Sequence, residues 1–290
     1  MQSEHRAGRR HVRSTARLVS LGLVPFFLFA TAFEVLPILV LVRSSLTDEG
    51  GLGLGNFGRA LTPMMLRSFG NSIQLSFITA LLGVAFGTIV AHGIVTTRNA
   101  TLRSAFTALA DVSANFGGAP LAFAFIITLG STGVVTLLLA AIGIELYPEF
   151  RIYSVAGLTV AYLYFQLPLL VLLIIPALLG LRREWREAAT SLGATGFQYW
   201  TKVALPILAP SLLGSFLLLF ANAFGAYATA WTLTGSDVNL ITVQIAALVR
   251  GEVQLDPGLA DSLALLSLVV MAVCVVGHQW LSGRVGSRAS

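Results

Sequence analysis

The chain has 290 residues, of which 56% are hydrophobic and only 11% are charged, and its mean hydropathy is +0.84. Ordinary soluble domains carry about a quarter charged residues, so this composition excludes a water-soluble globular protein. The net charge is +5. Because the arginines lie between long apolar runs, this basic balance indicates membrane topology and not nucleic-acid binding.

Apolar runs long enough to cross a bilayer recur six times along the chain. Each crossing needs about 20 apolar residues, and we predict spans at 18–42, 68–96, 105–129, 152–181, 207–233 and 259–281. A shorter run, 134–144, is bracketed by glycines and glutamates, which predicts an interfacial or re-entrant helix. The fold class is therefore predicted as an all-α integral membrane protein with six transmembrane helices.

The arginines predict the orientation of these spans. Five of them precede the first span, which is too long for the core of a signal peptide. If the N-terminus is cytoplasmic, most of the remaining arginines also fall on the inside, so the positive-inside rule predicts that both termini are cytoplasmic. We predict a basic cytoplasmic tail at 1–17, the first span with an external loop at 18–67, and a second cytoplasmic tail at 282–290.

One predicted inside loop, 182–206, is long, charged and amphipathic, whereas its neighbours are short. We predict two short helices broken at Gly193, and we call this segment the elbow. It contains the sequence EAATSLGATGFQYWTKVALP. Here the chain resembles the transmembrane subunits of bacterial ABC importers with the MetI-like fold, whose loop has Glu-Ala-Ala, three residues, Gly, nine residues and Ile-x-Leu-Pro. The matching residues are Glu187, Ala188, Ala189, Gly193, Leu205 and Pro206.

The resemblance implies a location in a bacterial inner membrane, a role and a set of partners. It extends over 68–281, because Asn71 and Ser72 open the second span as in that family and AFGAY at 223–227 is similar to a family stretch. The elbow is then a coupling loop that seats in a separate ATPase subunit. Two ATPases, a second permease that is either identical or related, and a soluble extracytoplasmic binding protein are the implied partners, with ATP and Mg on the ATPase.

The chain itself shows no pattern for an enzyme or a cofactor. It has no Walker A sequence, so we predict that ATP hydrolysis belongs to the partner. Its four histidines are scattered without metal-ligand spacing. We therefore predict a transport subunit without a catalytic, cofactor or metal site of its own.

Polar residues inside spans are costly and often functional. The candidates for a translocation pathway are Asn71, Gln74, Asp111, Asn115, Gln166, Asn222 and Tyr227. Asp111 and Asn115 are one helical turn apart and can face one side of the third span. The alternative for Asp111 is a pair with Arg103 or with a partner subunit. Gln166 and Pro168 predict a local break in the fourth span.

The substrate is predicted only loosely. A carboxylate at Asp111 would favour a cation, and the stretches at 56–61 and 71–91 resemble permeases of the polyamine, iron and phosphonate group, so the preferred interpretation is a spermidine/putrescine-type solute. Organophosphonate, ferric iron and sugar are the alternatives. A secondary transporter is a rival of another class, but it would need internal repeats and paired intramembrane charges. A scaffolding membrane protein would not require the spacing found in the elbow.

Overall fold

The computed structural model describes residues 23–48, 51–252 and 255–289, with side chains as far as residue 282. The predicted tail 1–17, the start of the first predicted span and nearly all side chains of the predicted tail 282–290 lie outside the described residues. Within them, six helical stretches are long and apolar enough to cross a membrane. The prediction of an all-helical membrane protein with six spans is thereby confirmed.

The first span leads into a small cap at one end of the bundle. It is α1 (Leu23–Ser45), and it contains a π-helical turn at Thr31–Val35 just before Pro37. A wider turn accommodates a proline, whose ring cannot fit a regular helical turn. The cap consists of the hairpin strands β1 (Thr47–Asp48) and β2 (Gly51–Leu52) and the short helix α2 (Gly55–Ala60).

The rest of the described chain is helical apart from turns. In chain order the helices are α3 (Pro63–Thr96), α4 (Ala100–Asn115), α5 (Gly118–Leu129), α6 (Val134–Ala141), α7 (Val155–Leu179), α8 (Arg183–Ser191), α9 (Gly196–Tyr199), α10 (Leu205–Phe224), α11 (Tyr227–Thr234), α12 (Ile241–Arg250) and α13 (Pro257–Ala289). Helix α13 therefore continues through most of the segment predicted as a tail.

Helix α7 is the centre of the bundle and packs against α3, α4 and α10. It meets α3 at Gly87, where a Cβ atom would lie only 2.7 Å from Cδ2 of Leu170. Small residues allow membrane helices to approach closely, and this contact rather than hydrophobic exclusion holds such helices together. On the other side, α13 packs against α1, α10 and α12. The first span therefore joins the bundle mainly through the last one.

Two predicted spans are interrupted in the structure. The third, 105–129, is divided into α4 and α5 by extended backbone at Phe116 and Gly117, followed by Gly118 with φ +70°. The stretch of membrane-crossing length is Gly118–Ala141, which includes α6 and hence most of the short apolar run at 134–144. The fifth, 207–233, is divided into α10 and α11 at residues 225–226. Prediction from apolar length missed both breaks because one or two glycine or alanine residues hardly change the mean hydropathy of a run of about 20 residues.

The predicted break in the fourth span is wrong. Helix α7 runs without interruption through Pro168 and Pro176. Gln166 is fully buried, and its Nε2 donates to Oγ1 of Thr79 on α3 at 2.8 Å. The glutamine therefore bridges two packed helices, and the helix does not unwind around it. The described chain also has one amphipathic helix that was not predicted, α12.

Candidate functional site

The elbow begins with α8 and turns sharply at its end. The N–H of Gly193 donates to the carbonyl of Thr190, and the N–H of Ala194 donates to that of Ala189, both at 2.9 Å. This pair of bonds is a Schellman motif, which requires a left-handed residue. Gly193 supplies it with φ +78°, and a Cβ atom there would meet open space. The turn therefore needs glycine for its backbone and not for lack of room.

The second half of the elbow is continuous with the fifth span. Thr195 and Gln198 form a capping box that starts α9, and a π-helical turn, Trp200–Ala204, joins α9 to α10. We expected Pro206 to end the elbow and open the fifth span. It lies in the first turn of α10, but the helical stretch that includes it, Gly196–Phe224, already begins within the elbow. The wide turn before Pro206 accommodates the proline ring, which would clash with the preceding turn of a regular helix.

The outer surface of the elbow exposes large apolar side chains beside charged ones. Leu192 is 88% exposed and Phe197 is 78% exposed. Between the two halves lies a groove of about 720 Å³ whose lining includes Ala188 and Ala189. Glu187 is exposed, and its Oε1 accepts from Nε of Arg183 at 2.9 Å. Exposed apolar groups of this size, rimmed by charge, are typical of a protein contact surface.

The second feature is a cleft where the two helix breaks meet. The break at 116–117 separates α4 from α5, the break at 225–226 separates α10 from α11, and α5 packs against α11. The cleft has a volume of about 520 Å³. It is lined by Ala114, Asn115, Gly117, Gly118, Phe165, Ala221, Asn222, Gly225, Ala226, Tyr227, Ala228 and Thr229. None of these lining residues is charged.

Three of the seven predicted pathway residues converge on this cleft: Asn115, Asn222 and Tyr227. The Nδ2 atom of Asn115 donates to the carbonyl of Asp111 at 2.9 Å, and Asn222 is exposed. The ring of Tyr227 stacks on Trp231, and the guanidinium carbon of Arg250 lies 5.5 Å from its centroid. The cleft therefore presents amide and backbone groups. Arg250 does not line it but contacts the ring of Tyr227, which does.

The other four predicted residues lie elsewhere. Asp111 lines a separate groove of about 750 Å³ together with Arg103, whereas Asn115 lines the cleft. Among the described residues no ion pair joins Asp111 to Arg103. Gln166 is in the core, whereas Asn71 and Gln74 are exposed on α3. Nδ2 of Asn71 donates to the carbonyl of Asn239 at 2.9 Å.

Sequence reasoning missed the residues that hold the cleft together. Tyr162 on α7 donates its hydroxyl to the carbonyl of Ala226 at 2.7 Å. Thr229 donates to the carbonyl of Gly118 at 3.3 Å. The adjacent pair Gly117 and Gly118 was a usable signal for the first break, since consecutive glycines weaken a helix. The contacts of Tyr162 and Thr229 join residues more than 60 positions apart, so no local sequence pattern predicts them.

Comparison with known proteins gives relatives of one kind. ModB of Mycobacterium tuberculosis, a molybdenum transport system permease protein, is 30% identical over 161 residues, which is 56% of this chain and 57% of ModB. FbpB of Actinobacillus pleuropneumoniae, a ferric transport system permease protein, is 27% identical over 229 residues, 76% of this chain and 32% of FbpB. CysW of Synechocystis, a sulfate transport system permease protein, is 27% identical over 173 residues, 59% and 61% of the two chains. The chain spans about half the length of the curated relatives it matches.

Solved structures show the same fold. A bacterial ABC transporter involved in the import of the acidic polysaccharide alginate matches with a TM-score of 0.71 at 19% identity, over 95% of this chain and 99% of that one. The MetNI methionine ABC transporter matches with a TM-score of 0.58 at 17% identity, over 77% and 96%. No family model matches the chain. The predicted resemblance to permease subunits of ABC importers is confirmed by the relatives and by the fold, and ModB, FbpB and CysW are all named as permeases and not as enzymes.

Proposed function

We propose that the chain is a permease subunit of an ATP-driven importer, forming part of a solute pathway across the bacterial cytoplasmic membrane. The observation that carries this proposal is the elbow. Its motif spacing coincides with a Schellman turn at Gly193, and its apolar side chains Leu192 and Phe197 are exposed on a polar loop. Such a surface is costly unless a partner covers it. The positive-inside rule favours both termini, and hence the elbow, on the cytoplasmic side.

The partners follow from this role. In our proposal two ATPase subunits bind ATP and Mg, and each receives one elbow through Glu187, Ala188, Ala189 and Gly193. Leu205 and Pro206 begin the helix that carries the motion into the membrane. A second permease, identical or related, completes the pathway, and a soluble extracytoplasmic binding protein delivers the solute. We further propose that 68–281 is the permease core, with 18–67 as an addition at its edge.

The cleft is our proposed segment of the pathway in this subunit. Asn115, Asn222 and Tyr227 line it at two helix breaks, and irregular backbone at membrane depth is tolerated only where protein or a water-filled cavity surrounds it. Asn71 and Gln74 are exposed polar residues on α3, which favours a position against the second permease or the pathway over one against lipid. Gln166 is fully buried, so the pathway we propose does not include it.

The solute we propose is small and polar. A polyamine would require Asp111 in the pathway, and that carboxylate lies in a different groove from the cleft. The cleft offers amides and no charged side chain, which suits a neutral or anionic solute better than a polycation. The relatives named for molybdenum and sulfate transport agree with an inorganic anion. A ferric transport permease is also among the relatives, so ferric iron stays an alternative, although its positive charge fits the uncharged cleft less well.

Purification of the tagged chain in a mild detergent tests the function. We expect an ATPase, a second permease and a binding protein to copurify, and the complex to hydrolyse ATP. The ligand of that binding protein identifies the solute. A chain that purifies alone, from membranes in which another importer stays intact, would contradict the proposal. Uptake driven by an ion gradient without ATP would instead favour a secondary transporter.

A further inference from the structure

The break between α10 and α11 is held by a side chain from a third helix. Tyr162 on α7 is only 1% exposed, and its ring packs against Phe165, which lines the cleft. Its hydroxyl donates to the carbonyl of Ala226 at 2.7 Å. A buried tyrosine hydroxyl needs such a partner. Ala226 is the N-cap of α11, so its carbonyl also accepts the first hydrogen bond of that helix, and the hydroxyl uses the second lone pair of this carbonyl.

The backbone at this point is a tight turn. Ala226 has φ −76° and ψ 73°, the values of an inverse γ-turn, and the N–H of Tyr227 donates to the carbonyl of Gly225 at 2.8 Å. One three-residue turn thus sets the direction of α11 relative to α10. The Tyr162 hydroxyl fixes the carbonyl at the centre of that turn.

Helix α11 also connects the Tyr162 contact to the other helix break, at 116–117. Thr229, in the first turn of α11, donates to the carbonyl of Gly118, the first residue of α5. A Cβ atom at Gly118 would lie 3.7 Å from Cβ of Ala228, so the two helix starts touch. A contact that fixes α11 therefore also fixes α5. The positions of both walls of the cleft then depend on α7.

We propose that Tyr162 is a positioning residue that sets the geometry of the cleft by latching the Gly225–Tyr227 turn to α7. Without the latch the turn opens more often and α11 separates from α7, while the rest of the bundle stays packed. The role of the cleft in transport belongs to the proposed function, on which this inference rests, but the latch itself can be tested without transport.

The test measures local opening by cysteine labelling of the purified full-length chain in detergent. The native Cys274 is replaced by alanine, and single cysteines are introduced as Ala223→Cys, which is buried beside the turn, or Ala80→Cys, which is buried in α3. Each is combined with Tyr162→Phe and labelled with a water-soluble maleimide. Loss of one hydrogen bond corresponds to roughly a fivefold change in an opening equilibrium. We expect about that increase in labelling at position 223 and no change at position 80.

The matched control is Tyr164→Phe on the same helix. Its ring contacts Phe116 and Phe125, and its hydroxyl makes no hydrogen bond among the described residues. Labelling at position 223 should be unchanged in this control. Unaltered labelling at position 223 in Tyr162→Phe would overturn the proposal, because the hydroxyl would then not affect local opening. An equal increase at both cysteines would also overturn it, because the hydroxyl would then stabilise the whole fold and not this turn. A complex that does not transport would count against the proposed function and leave the labelling result intact.

Discussion

His92 and Trp200 meet edge to face, with ring centroids 4.8 Å apart and ring planes at 84°. His92 lies near the end of α3, and Trp200 opens the π-helical turn that joins the elbow to the fifth span. The contact therefore ties the elbow to the helix that packs most closely on the central helix α7. A displacement of the elbow would reach the bundle through this pair as well as along α10.

Replacing Trp200 should weaken that connection. An edge-to-face aromatic pair contributes about 0.5–1.5 kcal/mol beyond its buried area, so we expect Trp200→Leu to reduce solute transported per ATP by roughly threefold to tenfold while ATP hydrolysis persists. Trp200→Phe retains an aromatic ring and should keep most of the coupling. The ratio of transport to hydrolysis in proteoliposomes measures this. A normal ratio in Trp200→Leu would show that the pair transmits nothing.

The turn of the elbow should be sensitive to substitution at Gly193 in particular. A residue with a Cβ in the left-handed region costs about 1–2 kcal/mol, and aspartate costs less than most, but Gly193→Asp also places a charge on the contact surface. We expect this variant to insert in the membrane normally and to lose coupling to the ATPase. Gly196→Asp is the matched control, because Gly196 also has open space around it but has no positive φ. Uptake and membrane insertion are measured for both, and normal uptake in Gly193→Asp would count heavily against the elbow.

Leu192 should contribute to binding of the ATPase. It is 88% exposed at the tip of the elbow, whereas Leu52 in the hairpin at the α1 end is 87% exposed. Burying a leucine side chain contributes about 1.5–3 kcal/mol. We therefore expect Leu192→Ser to lower copurification of the ATPase by tenfold or more and Leu52→Ser to leave it unchanged. An equal loss in both variants would indicate general destabilisation and not a docking contact.

Substitutions in the cleft and in the groove of Asp111 should differ in their effect on solute selection. Asn222→Asp places a carboxylate in the cleft, and we expect it to depress transport of an anionic solute by at least tenfold through like-charge repulsion. Asp111→Asn removes a carboxylate from the other groove and should leave the solute preference unchanged. Uptake of the solute carried by the binding protein is compared in the two variants. A change of preference in Asp111→Asn alone would restore Asp111 to the pathway.

The number of spans could be predicted because length and hydropathy carry that information, and the elbow because its motif is local. Hydropathy did not reveal the breaks at 116–117 and 225–226, because a short break changes the mean hydropathy of an apolar run very little. The adjacent glycines at 117–118 were a local signal for the first break, whereas the second depends on partners elsewhere in the chain. Asp111 and Asn115 show the limit of helical periodicity. They lie one turn apart on α4, yet the helix ends at Asn115, and the two side chains line different depressions.

Proline was also a poor guide in this membrane protein. Pro168 predicted a break beside Gln166, but α7 continues, because packed neighbours stabilise a proline-containing helix. Pro37 and Pro206 instead follow wide π-helical turns. The sequence places each proline, but the tertiary packing decides whether the helix breaks, widens or continues.

The bond between Gln166 and Thr79 predicts a stability effect that can be separated from transport. Thr79→Val removes the partner of a fully buried amide whose Oε1 already has no hydrogen-bond partner among the described residues. A buried unpaired polar group costs about 1–3 kcal/mol, whereas replacing both partners by apolar groups is nearly neutral. We expect Thr79→Val to lower the midpoint of thermal unfolding in detergent, and Thr79→Val/Gln166→Leu to recover much of the loss.

Thr88→Val provides the control for this pair. Thr88 lies on the same helix, and its hydroxyl donates only within that helix, to the carbonyl of Val84 at 2.6 Å. The midpoint should therefore change little in Thr88→Val. The single variant Gln166→Leu completes the comparison. If its effect on the midpoint simply adds to that of Thr79→Val in the double variant, the two sites are independent. The interhelical hydrogen bond would then contribute nothing measurable, and packing of Gly87 against Leu170 would be what holds α3 against α7.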